Sequence, residues 1–200
     1  MVAEIYDKGG ISVRAVPTDA IRAANATLTD REIEQEAKRM LVEAAFGPGR
    51  QLFHRPDGSP FIEGSDRCIS ISHCSTLVVL ATDRCGRRIG IDCETSDRGA
   101  QLARVAPKFL SPGQLTAWGT DGSSLLTAWT LKEAFYKAAG IAGLALTDIP
   151  LPPPGAWATL GGARRGIEME WRDRQLCFLP VDFSGFEGKI SLVWVENKEN

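Results

Sequence analysis

The chain is organised around the stretch Trp129-Thr130-Leu131-Lys132-Glu133-Ala134-Phe135-Tyr136-Lys137-Ala138-Ala139-Gly140. Its apolar residues recur with a helical period, most of its residues are good helix formers, and the final glycine is placed to end the helix. Glu133 and Lys137 are four positions apart and therefore share one face of this predicted helix. An exposed ion pair would explain both residues, and so would a reactive pair of charges.

Two acidic residues, Asp92 and Glu94, end a predicted strand that begins at Arg88. Because alternate side chains of a strand point the same way, both carboxylates project on one side of it. Close carboxylates repel each other, so such a pair needs a cation, a shared proton or exposure to water. The pattern is compatible with a metal site and also with solvated acids at a strand end.

The rest of the chain predicts an α+β fold from its periodicities and turn signals. Strands are predicted at 2–7, 11–16, 51–54, 68–73, 76–82, 88–94, 155–160, 167–171, 175–181 and 189–196. Helices are predicted at 18–26, from 29 to the glycine at 47, from 97 to 108, at 114–118 and at 123–139. Thr29 and Glu32 have the spacing of a capping box at the start of the second helix.

Composition sets limits on the function. The 200 residues are 44% hydrophobic and 24% charged, with a formal net charge of −2. These values are ordinary for a soluble globular protein, and this charge gives no general attraction to nucleic acid or to a membrane. The longest aliphatic run, at 77–81, is too short to span a bilayer, and the first residues lack the pattern of a signal peptide. We therefore expect a cytoplasmic protein.

The cysteines are five in number and contain no C-x-x-C pair. They are Cys68, Cys74, Cys85, Cys93 and Cys177. An odd number of scattered cysteines favours reduced, mostly buried thiols over a disulfide framework or a zinc site.

Four short motifs follow one another between residues 58 and 137. They are Gly58-Ser59-Pro60, Ile69-Ser70-Ile71-Ser72-His73-Cys74, Gly90-Ile91-Asp92-Cys93-Glu94 and the helix from Trp129 to Lys137. In order and spacing they resemble the Gly-Lys-Pro loop, the F-N-x-S-H-S strand, the G-[IV]-D-x-E strand and the W-[ST]-x-K-E-[AS]-x-x-K helix of the 4'-phosphopantetheinyl transferase superfamily. The likeness is to the surfactin-synthetase-activating type, and residues 37–41 resemble that family's earlier basic helix.

The resemblance implies a fold and a reaction. The fold would be two similar α/β halves, residues 1–87 and 88–200, related by a pseudo-two-fold, each a small antiparallel sheet packed with helices. The reaction would transfer 4'-phosphopantetheine from coenzyme A to a serine of an apo acyl or peptidyl carrier protein. The products would be the holo carrier protein and 3',5'-ADP, and Mg²⁺ would be required. We expect a monomer that binds neither nucleic acid nor a membrane.

The resemblance also implies roles for individual residues. Asp92, Glu94 and Glu133 would bind the metal, and Glu133 would take the serine proton directly or through a metal-bound water. Lys137, Lys132 and His73 would stabilise the charge on the phosphates. Residues expected to hold the nucleotide and its phosphates are Arg39, Gly58, Pro60, Ser72 and His73.

Two positions depart from the family pattern. Ser59 stands where the family usually has a lysine, so that phosphate contact is either missing or supplied by Arg55 or Arg67. Gln114 stands where the family tends to have a glutamate, which leaves Glu133 as the candidate base. These departures keep two alternatives open: a coenzyme A or carrier-protein binding protein without transfer activity, and another Mg²⁺-dependent phosphoryl-processing enzyme.

Carrier recognition must rest on a local patch, because the chain is itself slightly acidic. The segment after Glu94 is the candidate docking surface, with Arg98, Arg104 and Lys108 beside apolar residues. An ordinary amphipathic helix packed on the core is the alternative.

Overall fold

The computed structural model describes residues 1–156 and 166–196. Within them the strands are β1 Ala3–Lys8, β2 Ile11–Pro17, β3 Leu52–His54, β4 Pro60–Ile62, β5 Cys68–His73, β6 Leu77–Asp83, β7 Ile89–Thr95, β8 Ile167–Trp171, β9 Arg174–Val181 and β10 Gly188–Glu196. The helices are α1 Thr18–Ala24, α2 Asp30–Phe46, α3 Gly99–Val105, α4 Pro112–Trp118 and α5 Gly122–Ala139. Short 3₁₀ turns lie at Ser96–Arg98, Ala106–Lys108 and Leu146–Asp148.

The first sheet has the strand order β1-β2-β6-β5, and all its pairs are antiparallel. Gly9 and Gly10 make the first hairpin turn with positive φ angles, which glycine adopts without steric cost. Helix α2 starts with the predicted capping box, since the Thr29 side chain accepts from the Glu32 amide and Glu32 accepts from the Thr29 amide. Its buried face covers one side of this sheet.

The second sheet has the order β7-β10-β9-β8, again antiparallel. Helix α5 lies across it and contributes eight of the 18 buried residues of its core cluster. The sequence therefore correctly predicted an α+β fold of small antiparallel sheets packed with helices. The division into two halves at residue 87 and their pseudo-two-fold relation stay predictions.

Helix α5 and strand β7 approach each other unusually closely at Gly90. A Cβ atom at this position would lie 1.9 Å from the carbonyl oxygen of Ala134 and 2.7 Å from the amide nitrogen of Ala138. No other residue type fits there without moving the backbone of α5. The glycine of the Gly90-Ile91-Asp92 motif thus brings the turns that carry Glu133 and Lys137 against the end of β7.

The two four-stranded sheets meet along β5 and β7, which are the edge strands of their respective sheets. The hydroxyl oxygen of Ser70 accepts the Ile91 amide at 3.0 Å, and the Ser72 hydroxyl donates to Asp92 Oδ1 at 2.8 Å. Both serines are buried. We call this contact between β5 and β7 the seam. The hydrogen bonds of these two serine side chains join the strands there, in place of the backbone hydrogen bonds that join neighbouring strands within a sheet.

Some predicted elements differ from the structure. The helix predicted from 97 to 108 is instead α3 flanked by two 3₁₀ turns, because Pro107 cannot donate an amide hydrogen bond and disfavours a helical residue before it. Strand β4 was not predicted, since its neighbourhood is rich in turn residues. Of the strand predicted at 155–160, positions 155 and 156 lie in a turn and the remainder falls outside the described residues. None of the helices in the described part of the chain combines the length and apolar character that a membrane span requires.

Candidate functional site

Asp92 lies at the centre of the candidate site and is only 8% exposed. Its Oδ1 atom accepts hydrogen bonds from Ser72 Oγ and from Lys137 Nζ, each at 2.8 Å. Lys137 Nζ also donates to the carbonyl oxygen of Ile91 at 2.9 Å. Because a buried carboxylate is costly unless it is paired, these partners offset the cost of burying Asp92 in the seam. The strand β5, the strand β7 and the helix α5 each supply one member of this group.

Glu133 comes from the same face of α5 and is half-buried. Its pKa is raised above the ordinary value, first by burial and then by the negative charge of Asp92, while Lys137 opposes the rise. Among the described residues, its carboxylate has no hydrogen-bond donor. The site therefore contains one carboxylate with two donors and a second that is repelled by the first.

Glu94 faces a different partner. One of its carboxylate oxygens accepts from Arg98 Nη1 at 2.8 Å, and the other accepts from the amide of Thr95 at 3.1 Å. The Nε atom of Arg98 is buried and has no partner in the described residues. In this conformation Glu94 is tied to the segment that follows β7.

A magnesium site was expected from Asp92, Glu94 and Glu133. Within residues 1–156 and 166–196, no group of three or more His, Cys, Asp or Glu side chains is arranged to hold a metal ion. The three-carboxylate set is therefore not assembled here, and the ion pair of Glu94 with Arg98 gives a physical reason. Asp92 and Glu133 still fit Mg²⁺, which prefers one or two carboxylates together with waters and substrate phosphates. A divalent cation would also relieve the repulsion that raises the pKa of Glu133.

Two cavities flank this group. The first, of about 410 Å³, is bordered by the loop Gly58-Ser59-Pro60, by Ser70 and Ile71 of β5, and by Tyr136 and Lys137 of α5. The second, of about 600 Å³, lies at the other end of the seam. It is lined by Arg22, Arg31, Glu34, His73, Glu94 and Arg98, among others. Both cavities thus present cationic side chains close to the acidic group.

The second cavity contains two basic residues that the sequence did not single out, Arg22 and Arg31. Arg22 Nη2 donates to Asp30 at 2.7 Å, and His73 Nε2 lies 3.2 Å from Glu34 Oε2. Arg31 occupies the first turn of α2, three positions before Glu34, and this helical spacing was the available signal. His73, which the sequence analysis expected to contact the nucleotide phosphates, lines this cavity, and its role stays a prediction.

Arg39 is not brought to either cavity. Its exposed guanidinium pairs with Glu36 at 2.6 Å and with Glu43 at 2.8 Å along the outer face of α2. The role expected for Arg39 in holding the nucleotide stays a prediction, and in this conformation its guanidinium is engaged by these two glutamates. Arg31, also on α2, borders the second cavity.

Lys132 is also not part of the cleft, since it is completely buried on another face of α5. Its Nζ donates to Gln114 Oε1 at 2.9 Å and to the carbonyl oxygens of Leu146 at 2.6 Å and Ile149 at 2.9 Å. Burial lowers its pKa to about 7, against the opposing influence of Asp148. Three acceptors saturate the ammonium group, so the expected phosphate contact by Lys132 is incompatible with this position.

Gln114 has a structural role at the position where the family tends to have glutamate. Besides accepting from Lys132, its Oε1 accepts from the Ser111 amide at 3.1 Å and its Nε2 donates to Ile149 O at 2.8 Å. It therefore caps α4 and joins that helix to α5 and to the turn at Leu146–Asp148.

The loop Gly58-Ser59-Pro60 is held by its own residues. Asp57 Oδ1 accepts from the Ser59 amide at 2.9 Å and from the Ser59 hydroxyl at 2.7 Å, and Gly58 has a φ of 82°. Arg55 lies 4.8 Å from the ring centre of Phe61, with Nη1 3.5 Å from Ser59 Oγ. Arg55 and Arg67 line a further cavity together with Lys137. Cationic groups thus stand near the place where the family has a lysine.

Two further residues of the central motif position α5. Trp129 packs edge-to-face on Phe109, with ring centres 5.2 Å apart, as part of the core. The hydroxyls of Thr130 and Ser191 are 2.8 Å apart in a fully buried contact between α5 and β10. These contacts fix the rotation of the helix and therefore the direction of Glu133 and Lys137.

The fold and site define a class of protein in which small antiparallel sheets packed with helices meet at a group of acidic and basic side chains. Residues 88–160 match the family model of the 4'-phosphopantetheinyl transferase superfamily. The matched segment contains Asp92, Glu94, Glu133 and Lys137, while the motifs at Gly58 and Ser72 lie before it. The match supports this superfamily, and the observed fold is consistent with it. No curated protein matches the chain.

Proposed function

We propose that this chain transfers 4'-phosphopantetheine from coenzyme A to a serine of an apo carrier protein and releases 3',5'-ADP. The observation that carries the proposal is the group of Asp92, Lys137 and Glu133 at the seam, inside the segment that matches the superfamily. The surfactin-synthetase-activating type rests on the motif order and stays part of the proposal.

Mg²⁺ would be held by Asp92 and Glu133, with substrate and water oxygens completing its coordination. The ion would supply charge neutralisation on the pyrophosphate of coenzyme A. Glu94 would join the set only after its ion pair with Arg98 opens. Since Asp92 already has two donors on Oδ1, its other oxygen is the one available to a cation.

Lys137 is suited to a phosphate contact because its position is fixed and its side chain is still 31% exposed. Two hydrogen bonds hold Nζ against the middle of β7, so little conformational freedom is lost when a phosphate binds. Attack on the β-phosphorus builds charge on its oxygens and on the leaving phosphate. A cation placed beforehand at that position stabilises the transition state more than a mobile one.

Glu133 would take the proton of the attacking serine. Its carboxylate has no donor among the described residues, and its raised pKa makes it a stronger base than an ordinary glutamate. The raised value also means that protonation at mildly acidic pH would remove the base. We therefore expect the reaction to slow as the pH falls through the pKa of Glu133.

The second cavity would hold the nucleotide phosphates. His73, Arg31 and Arg22 line it, and a phosphate there would compete with Glu34 and Asp30 for these cations. Arg98 lies at its rim beside Glu94. We propose this cavity because cationic donors recognise phosphate through charge-assisted hydrogen bonds.

Carrier docking would use the segment after β7. Arg104 and Lys108 are exposed there, whereas Leu102, Phe109 and Leu110 are buried in the core. The apolar residues of the segment therefore pack inward, and the segment would contribute to the binding of an acidic carrier through electrostatic attraction.

The test is to incubate the chain with coenzyme A, Mg²⁺ and a panel of apo carrier proteins from fatty-acid, polyketide and peptide synthesis. We expect one carrier class to gain the mass of a single phosphopantetheine group on its serine, with an equal amount of 3',5'-ADP. Cleavage of coenzyme A without carrier modification would indicate a hydrolase. Binding of coenzyme A by calorimetry without either product would indicate a binding protein, and both results would reject the proposal.

A further inference from the structure

The β3–β4 hairpin stands apart from the two large sheets. Within the described residues its strands pair only with each other, in the register Leu52–Ile62, Phe53–Phe61 and His54–Pro60. The first of these pairs packs on the core beside α2, where Ile62 is 2% exposed and Leu52 is partly buried. Phe53 and His54 are exposed. Because an isolated two-stranded hairpin has little stability of its own in water, this element depends on the anchored pair at its base.

The tip of the hairpin is held together internally. Asp57 Oδ1 accepts from the amide and the hydroxyl of Ser59, and the Arg55 amide donates to Ser59 O at 2.9 Å. The Arg55 guanidinium stacks on the ring of Phe61. Among the residues that the structure describes, all hydrogen bonds of residues 55–60 stay within the hairpin. The tip can therefore move as one unit without breaking bonds to the rest of the fold.

A glycine flanks the hairpin on each side. Gly49 precedes β3 with a φ of 77°, and Gly64 follows β4 with a φ of 71°. Glycine changes its backbone angles in this region without steric cost, and a few residues at the ends of elements commonly serve as hinges. Since both glycines lie next to the anchored pair of Leu52 and Ile62, small changes in their angles would turn the hairpin about that pair.

The tip lies beside the first cavity. Gly58, Ser59 and Pro60 border this cavity of about 410 Å³ on one side, and Tyr136 and residues 140–142 border it on the other. Tyr136 is 36% exposed. A movement of the tip toward Tyr136 would close the cavity and bury this ring.

We propose that the β3–β4 hairpin is a flap that closes over the first cavity when coenzyme A binds. This inference rests on the proposed function, in which the pyrophosphate lies at Asp92 and Lys137 and the nucleotide phosphates lie in the second cavity. Lys137 also borders the first cavity, so the pantetheine arm, on the other side of the pyrophosphate, enters it. The closed flap covers the arm and excludes water from the reacting phosphate.

The experiment is hydrogen–deuterium exchange of the full chain in three states: alone, with 3',5'-ADP and with coenzyme A, all with Mg²⁺. In the free chain we expect the amides of residues 52–62 to exchange at least about tenfold faster than those of the buried strand β6, because a flap opens without unfolding the core. Coenzyme A should slow exchange in the hairpin by about tenfold. The matched ligand 3',5'-ADP lacks the pantetheine arm and should leave it unchanged.

A pair of variants at Asp57 tests the rigid tip. Asp57→Ala removes the acceptor that holds Ser59, so more conformational freedom is lost on closure. Its affinity for coenzyme A should fall about 3- to 10-fold in calorimetry, while its affinity for 3',5'-ADP should stay that of the wild type. Asp57→Asn is the matched control, because it removes the same charge but keeps an acceptor oxygen, and it should bind coenzyme A like the wild type.

Slow exchange of the hairpin in the free chain, equal to that of β6, would overturn the flap. Equal protection by coenzyme A and 3',5'-ADP, or protection by neither, would overturn its closure over the pantetheine arm. Equal affinities of the two Asp57 variants for coenzyme A would reject the role of the rigid tip. Protection by coenzyme A in a chain that modifies no carrier would reject only the transferase, whereas transfer with an unprotected hairpin would reject only the flap.

Discussion

Helix α5 carries two lysines of one short motif, and the structure gives them opposite surroundings. Lys132 is completely buried and donates only to neutral acceptors: the amide oxygen of Gln114 and two carbonyl oxygens. Lys137 lies five positions later, is partly exposed, and donates to the carboxylate of Asp92. One lysine joins helices inside the second sheet's core, and the other borders the cleft between the sheets.

The difference shows that the role of a lysine in a motif depends on the groups that surround its ammonium group. Neutral acceptors in a dry environment hold a lysine in place but discourage its charge, and burial accordingly lowers the pKa of Lys132 to about 7. Lys137 is paired with a carboxylate at the cleft and stays partly exposed, which leaves the side chain able to contact a phosphate. We therefore expect substitutions at the first lysine to change stability and at the second to change chemistry.

The largest effect on activity is expected from removing the carboxylate of Asp92, which pairs with Lys137. Asp92→Ala takes away a metal ligand and the anchor of Lys137, so kcat/KM for carrier modification should fall by about 10³-fold. This corresponds to about 4 kcal/mol of transition-state stabilisation. Steady-state kinetics at saturating Mg²⁺ measure it, with Asp7→Ala on the exposed face of β1 as a control. Activity of Asp92→Ala near that of the wild type would remove Asp92 from the site.

A reciprocal pair of substitutions tests the contrast itself. Lys137→Met should lower kcat/KM by about 10²-fold, since a fixed cation no longer faces the phosphates. Lys132→Met should keep kcat/KM near that of the wild type but lower the free energy of unfolding at pH 8 by about 1–3 kcal/mol, because Leu146 O loses its donor. Kinetics and urea unfolding of both variants provide the measurements. The contrast fails if Lys132→Met reduces transfer as strongly as Lys137→Met does.

The pH dependence of stability gives a third test. Because burial lowers the folded-state pKa of Lys132 to about 7, the unfolded chain binds more protons than the folded chain between about pH 7 and the ordinary lysine pKa of about 10.4. Stability should therefore rise with pH through this window, by at most about 1.4 kcal/mol per pH unit, and be lost as the pH falls toward 7. Urea unfolding between pH 7 and 9.5 measures the slope. Lys132→Met should remove it, while the exposed control Lys8→Met should keep it.

The smallest effect is expected from restoring an acid beside Lys132. Gln114→Glu places a carboxylate at the atom that now lies 2.9 Å from Lys132 Nζ, so the pKa of the lysine should rise and the pH slope should flatten. The gain in stability at pH 7 should be about 1 kcal/mol or less, since the new carboxylate loses the hydrogen bond to Ile149 O. The same unfolding series detects the change. An unaltered slope would mean that Lys132 does not cause the pH dependence.

Much of the fold could be predicted from the sequence because its signals are local. Alternation over Cys68–His73 and Ile167–Trp171 gave strands with those bounds, and the capping box placed the start of α2. Helical spacing also put Glu133 and Lys137 on one face. The break near Pro107 was readable in principle, since proline ends helices.

The rest depends on elements far apart in the chain. Lys132 and Lys137 have equally helical surroundings, and only the packing of α4 and of residues 146–149 shows which one is buried. Arg39 and Arg31 likewise share α2, and the choice between them depends on where β5 passes. Ser70 gave no sequence signal beyond strand alternation, yet its hydroxyl bridges the two sheets.

The seam also matters for how the chain behaves at high concentration. By placing β5 against β7, it covers one edge of each sheet, so that β1 and β8 are the outer strands among the residues described here. An uncovered edge invites a strand from another molecule, which is a route to aggregation. Both outer strands carry charged, exposed side chains: Glu4, Asp7 and Lys8 on β1, and Glu168 and Glu170 on β8. A strand from another molecule that paired with β1 or β8 would bury these charges. The charged side chains therefore disfavour aggregation at the two sheet edges that the seam does not cover.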